Sequence, residues 1–268
     1  MGAFAFATAI SLAASGMAAA KAAATNSAGP GIVSLNLCTD ELVLLVADPA
    51  RIRSVSYLSH APEESALWRT ARRYRANDGS MLAAAAVRPG LIVTMGTSGR
   101  DRERLAGAIG ARLLVLPYPE TLVDVAANLA KVAHATGGEA RAARIVASMR
   151  AAVRDAPPRS RPAMWVDGGG RSLAADGLGA RWLRLAGLQQ MPVRGDRLTL
   201  EALLSRPPAV LVQSQYRSGQ TSSATAWRRH PTALHARVGR TLTTEGRRWT
   251  CMGPTLLSEI LRLRAAAR

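Results

Sequence analysis

A helix–proline–strand unit occurs twice in this chain. Residues 81–93 read Met-Leu-Ala-Ala-Ala-Ala-Val-Arg-Pro-Gly-Leu-Ile-Val, and residues 200–212 read Leu-Glu-Ala-Leu-Leu-Ser-Arg-Pro-Pro-Ala-Val-Leu-Val. Proline lacks the N–H that would continue a helix and drives its predecessor out of the α region, so Pro89 and Pro208 each stop a short apolar helix. The apolar run that follows suits a strand covered on both faces, as in a parallel sheet. Two such units so far apart predict two α/β lobes built alike. Two lobes facing each other leave a cleft, and clefts are where small ligands bind.

The 268 residues suffice for two lobes that each bury a core. The formal charge of +17 comes almost wholly from arginine, with lysine only at Lys21 and Lys131. Nucleic-acid binding would be favoured by basic runs interleaved with aromatics. The arginines are instead scattered through every helical segment, so the excess reads as composition and no nucleic-acid partner is expected. Residues 1–25 are apolar and small, with Ala-x-Ala options near Ala18 and Ala24, and read as a secretory signal peptide. The first cysteine, Cys38, lies past that zone, so a soluble, exported, non-lipidated periplasmic protein is expected.

In an oxidising compartment Cys38 and Cys251 form the one available pair. A disulfide is the leading reading, with two free thiols lining the cleft or two soft metal ligands as alternatives. His60, His134, His230 and His235 show no metal-ligand spacing, so neither a bare metal site nor a bound cofactor is expected.

Along the chain, strands are predicted at 31–36, 52–57, 91–95, 112–116, 164–166 and 240–244. Helices are predicted at 37–47, 62–74, 100–109, 178–186, 224–238 and 254–267. Residues 121–155 form a helical stretch broken only near Gly137 and Gly138, read as a long helix bridging the lobes. The domains are then a signal peptide over 1–25, an N-terminal lobe over 31–120, a helical connection over 121–156 and a C-terminal lobe over 160–268. Gly168, Gly169 and Gly170 follow a strand but lack the Gly-Lys-Ser/Thr of a phosphate loop. Trp68, Trp182 and Trp227 fall in predicted helices at apolar spacing and are expected in the core.

The opening Ile-Val-Ser-Leu-Asn-Leu-Cys-Thr-Asp-Glu-Leu (32–42) resembles the start of the ABC-importer substrate-binding proteins for cobalamin and iron–siderophore complexes. So do Asn77 before a helix ending in Arg88-Pro89-x-Leu-Ile-Val, and Trp249-x-Cys251-x-Gly253-Pro254 before a terminal helix. The resemblance runs in order from 31 to 267. It implies two α/β lobes with mostly parallel sheets, a single long backbone helix between them and a metal chelate held in the cleft with little hinge closure. It also implies that the loops at strand C-terminal ends face the ligand, as they do in open α/β sheets generally. Candidate ligand contacts are Cys38, Thr39, Tyr57, Arg171, Tyr216, Arg217, Arg248, Trp249 and Cys251. Aromatic rings would supply apolar area and arginines would meet carboxylate or phosphate edges.

A surface carboxylate on each lobe docks members of that family onto their membrane permease. Glu201 matches the C-lobe position, whereas Leu82 stands at the N-lobe position, with Glu63 and Glu64 nearby. The reading is thus a monomeric, non-catalytic periplasmic receptor that delivers a metal chelate to an ABC permease. The alternatives are an exported enzyme using Cys38 as nucleophile, which needs His60 or another base beside it, and a sensory module of the same fold without permease docking.

Overall fold

The structure, a computed structural model, describes residues 29–96, 99–216, 229–231, 233 and 236–268. The expected signal peptide, Arg217, Trp227 and most of the helix expected at 224–238 lie outside them.

Five parallel strands, β1 (Ile32–Ser34), β2 (Ile52–Ser56), β3 (Arg75–Asn77), β4 (Leu91–Met95) and β5 (Arg112–Leu116), form a sheet in the order β3-β2-β1-β4-β5. Four more, β6 (Arg161–Val166), β7 (Leu188–Gln190), β8 (Val210–Gln215) and β9 (Arg240–Glu245), form a second parallel sheet in the order β7-β6-β8-β9. Central strands such as Leu91-Ile92-Val93 and Val210-Leu211-Val212 are buried on both faces, which is why they read as unbroken apolar runs.

The helices of the first lobe are α1 (Leu37–Val46), α2 (Trp68–Ala71), α3 (Met81–Ala85) and α4 (Arg100–Ala108). Two core clusters sandwich the first sheet, one built on α1 and the connecting helices and the other on α3 and α4. The second lobe carries α7 (Leu178–Leu185), α8 (Leu200–Ser205), α9 (Gly246–Trp249) and α10 (Leu256–Ala267). The two copies of the repeat also match in how they start. Ser80 Oγ accepts the Ala83 N–H at 3.1 Å, and Thr199 Oγ1 accepts the Ala202 N–H at 3.1 Å, each satisfying a donor that a helix start leaves free.

The connection differs from the expected single helix. It is two helices packed on each other, α5 (Leu122–Thr136) and α6 (Glu139–Arg154). Thr121 and Asp124 form a capping box at the start of α5, and Gly137 ends it in the left-handed conformation at φ 72°. A Cβ at the next position, Gly138, would overlap the Val46 carbonyl, so the turn fits only because α1 and the start of α6 touch backbone to backbone. Both helices reach α1 in one lobe, and α5 reaches α7 and α6 reaches α10 in the other. Buried Arg264 of α10 donates to Ala152 O (2.7 Å), Asp155 O (3.2 Å) and Leu185 O (2.7 Å), tying off the C-terminal ends of α6 and α7 together.

The expected helix at 62–74 shrinks to α2, because its Glu63-Glu64-Ser65 start offers no apolar stripe to bury. Directly after the expected span comes edge strand β3, which the sequence did not signal and where Asn77 Nδ2 donates to Ser34 O (2.9 Å) and Ser54 Oγ (3.0 Å). Trp68 is only half-buried rather than core, since Arg69 and Arg72 lie over its ring at 4.4 and 4.8 Å. Trp182 is fully buried, with Nε1 donating to Met252 O at 2.8 Å.

Candidate functional site

At the C-terminal end of β1 the chain turns directly into α1. Asn36 Oδ1 accepts the Thr39 N–H at 3.0 Å, and Thr39 Oγ1 donates to Asn36 O at 3.0 Å. That cap fixes Cys38 in the first turn, at the upper edge of the first sheet. From the other lobe, α9 brings Cys251 to the same level. The two sulfurs are bonded, with Cα atoms 5.2 Å apart and a sequence separation of 213. Glu41, three residues on from Cys38, accepts the Thr255 N–H at 2.8 Å at the start of α10. Burial pushes the Glu41 carboxyl above the usual range, offset by the Thr255 bond and the charge of Arg248. A Cβ at Gly253 would collide with that carboxylate. A third tie, Arg247 Nη1 to Pro62 O at 2.8 Å, also crosses between the lobes. A covalent bond, a carboxylate at a helix start and a guanidinium thus join the two halves near the ends of their sheets.

Beside these ties lies a cavity of about 650 Å³. Pro62 and Glu63 line it from the first lobe, and Gln215, Tyr216, Thr243, Thr244 and Glu245 line it from the ends of β8 and β9, with Arg247 and Arg262. Its size suits a small-molecule ligand. Its charges are arranged in advance. Glu245 Oε2 accepts from Arg247 (3.2 Å) and Arg248 (2.9 Å). Arg262 grips Glu259 at 2.6 Å, which holds that carboxyl below its ordinary value against the opposing effect of burial, and also donates to Thr243 O. Tyr216 OH lies 3.3 Å from Thr250 Oγ1.

No family model matches the sequence, and no curated protein matches it significantly. Solved structures do match the fold. The periplasmic heme-binding protein HutB of Vibrio cholerae superposes with a TM-score of 0.70 at 14% identity, over 88% of this chain and 98% of its own. RhuT, a periplasmic heme-binding protein of Roseiflexus sp. RS-1 in apo form, gives 0.69 at 16% identity over 88% and 97%. The periplasmic vitamin B12 binding protein BtuF of Vibrio cholerae gives 0.62 at 16% identity over 87% and 94%. The fold is that of the class III ABC-importer substrate-binding proteins.

On this substrate-binding-protein fold the residues singled out from the sequence fall in different places. Of the aromatic and cationic candidates, Tyr216 forms a wall of the cavity. Tyr57 opens the turn that leads from β2 to Pro62 and is 58% exposed, but it does not line the cavity. Cys38 and Cys251 lie in a disulfide, which removes both the free-thiol and the metal-thiolate alternatives; a Cys38 nucleophile would need a thiol that the chain does not have. Thr39 is fully buried, its hydroxyl spent on Asn36 and Ser34, so it cannot face a ligand. Trp249 is core as well. It packs on Trp165 with ring centroids 5.4 Å apart and donates Nε1 to Thr244 Oγ1 at 2.8 Å. Arg248 is held by Glu245 and by Thr255 O at 3.0 Å, leaving its neighbour Arg247 to line the cavity. Arg171 is exposed in a loop anchored by Asp167 and paired with Arg197, away from the cavity walls. Glu201 is exposed in the first turn of α8, and Leu82 at the matching position of α3 is 82% exposed.

Glu63, Glu245, Arg247 and Arg262 were not among the expected contacts. Glu245 and Arg247 sit where a strand-end rule points, but only the fold shows which of two adjacent arginines is free of the helix-end carbonyl. Arg262 comes from the middle of α10 and carries no local signal.

Proposed function

We propose that this chain captures a metal chelate of the heme, cobalamin or ferric-siderophore type in the periplasm and delivers it, unaltered, to an ABC permease. The observation that carries the reading is the cavity where the C-terminal ends of β8 and β9 meet the segment after β2, beside lobes tied covalently at Cys38–Cys251. Such a site grips a ligand between pre-set walls, and a small hinge motion is all that release requires. The paired guanidinium and carboxylate groups favour a ligand with carboxylate or other polar edges, and solved structures of this fold include heme-binding and vitamin B12-binding proteins. Glu201 is the permease contact on the C-terminal lobe.

A second reading, a ligand-binding module without permease docking, is favoured by one feature: the exposed position on α3 equivalent to Glu201 carries Leu82 instead of an acid. Native mass spectrometry and tryptophan-quenching titration against hemin, cobalamin and a panel of ferric siderophores test the first reading. Trp249 lies one hydrogen bond below the cavity wall and provides the optical signal. One-to-one binding of at least one chelate supports the reading, and indifference to all of them at submillimolar concentration refutes it. Pull-down of the permease by the wild type but not by Glu201→Arg separates importer from stand-alone module.

A further inference from the structure

A second cavity, of about 450 Å³, opens where α5, α6 and α7 meet, on residues that take no part in the cleft. Its floor is the buried apolar surface of Met149, Trp182 and Leu185. Its mouth is apolar too, with Val123 75% exposed and Val153 50% exposed. Soluble proteins seldom leave a concave apolar surface of this kind open to water without a use for it. Two cations stand at the edge, Arg150 and Arg154, four residues apart and therefore on one face of α6. None of the lining residues is acidic, and neither arginine has a carboxylate partner among the described residues.

An apolar bore with two unneutralised guanidinium groups at its rim matches one ligand chemistry, an alkyl chain ending in an anion. The geometry points to a binding site for a free single-chain anionic amphiphile of the fatty-acid class, with the chain between α5, α6 and α7 and the carboxylate held by Arg150 and Arg154. The alkyl chain gains burial against Met149, Trp182 and Leu185, and a guanidinium accepts a carboxylate edge with two parallel hydrogen bonds. This site is independent of the chelate reading, since it shares no lining residue with the cleft.

The test is calorimetric titration of the exported chain with dodecanoate below its micelle concentration, beside dodecyltrimethylammonium, which has the same tail and the opposite charge. One-to-one binding of dodecanoate and at least tenfold weaker binding of the cation are expected. Arg150→Glu/Arg154→Glu is expected to weaken dodecanoate at least tenfold. Val123→Glu, at a surface position whose change leaves the core untouched, is expected to weaken it several-fold and covers the case in which the double variant does not fold. Equal binding of both surfactants, no binding of either, or unchanged affinity in the folded variants overturns the proposal. So does displacement of dodecanoate by a chelate that competes one-for-one, which would place both in the cleft. Binding to vesicles of anionic phospholipid that dodecanoate does not inhibit would also overturn it, in favour of a membrane contact.

Discussion

Breaking the Cys38–Cys251 bond is the most informative single perturbation of the lobe arrangement. The bond joins positions 213 apart, and in the chain-entropy model a closed loop of that length restricts the unfolded chain by about 5 kcal/mol. Few native contacts depend on it directly, because Glu41–Thr255, Arg247–Pro62 and the α5–α6 connection all remain. The double variant Cys38→Ala/Cys251→Ala should therefore fold to the same structure and melt lower. At about 2–4 °C per kcal/mol for a chain of this size, the fall is ~10–20 °C. Circular-dichroism melts of the oxidised protein, the reduced protein and the double variant provide the measurement, with the two thiol-free or reduced samples expected to agree. A fall below about 2 °C would refute the reasoning, because it would mean that the ends of the loop are already held together in the unfolded ensemble.

Two further perturbations read the interior. Burial raises Asp40 to about 7, against an ordinary value of 3.8, although Ser56 and Ser59 hydroxyls bond its carboxylate at 2.5 and 2.6 Å. The folded state therefore holds this proton up to about pH 7 while the unfolded chain releases it near pH 4. The contribution is full below about pH 4 and is lost as the pH climbs to 7, by up to ~4 kcal/mol. Denaturant midpoints should decline over that range in the wild type and decline less in Asp40→Asn; equal slopes would show that Asp40 is already ionised in the native state. Arg264→Met should cost roughly 3–5 kcal/mol by stranding three helix-end carbonyls in the core, read as a drop in the urea midpoint, and a cost under about 1 kcal/mol would show those carbonyls to be satisfied by water.

Strands built on an apolar run of three or four residues were legible without a structure: Leu91–Met95 and Arg112–Leu116 fall where the runs between Pro89, Pro117 and the glycine turns place them. Edge strands Arg75–Asn77 and Leu188–Gln190 were not, because three residues carry no periodicity and an edge needs no second apolar face. The helix break at Gly137 and Gly138 was visible as a glycine pair, but not that it separates two packed helices, since that depends on the approach of Val46. Of the loops singled out from the sequence, those after β8 and β9 line the cavity through Gln215, Tyr216 and Arg247, whereas Tyr57 and Arg171 stand apart from it. Trp249 and Arg248 were favoured for their chemistry, yet their partners, Trp165, Thr244 and Thr255, come from elsewhere in the lobe and claim them first. Arg247 and Glu245 are left to face the cavity.

The claim on which the rest depends is that one ligand is gripped from both lobes at once. Hydrogen–deuterium exchange of the oxidised protein, with and without whichever chelate titrates, measures this directly. Slowed exchange is predicted together in the segment from Tyr57 to Glu63 of the first lobe and in Gln215, Tyr216 and 243–247 of the second. Slowing confined to one lobe, or falling only on α5, α6 and α7, would contradict the account.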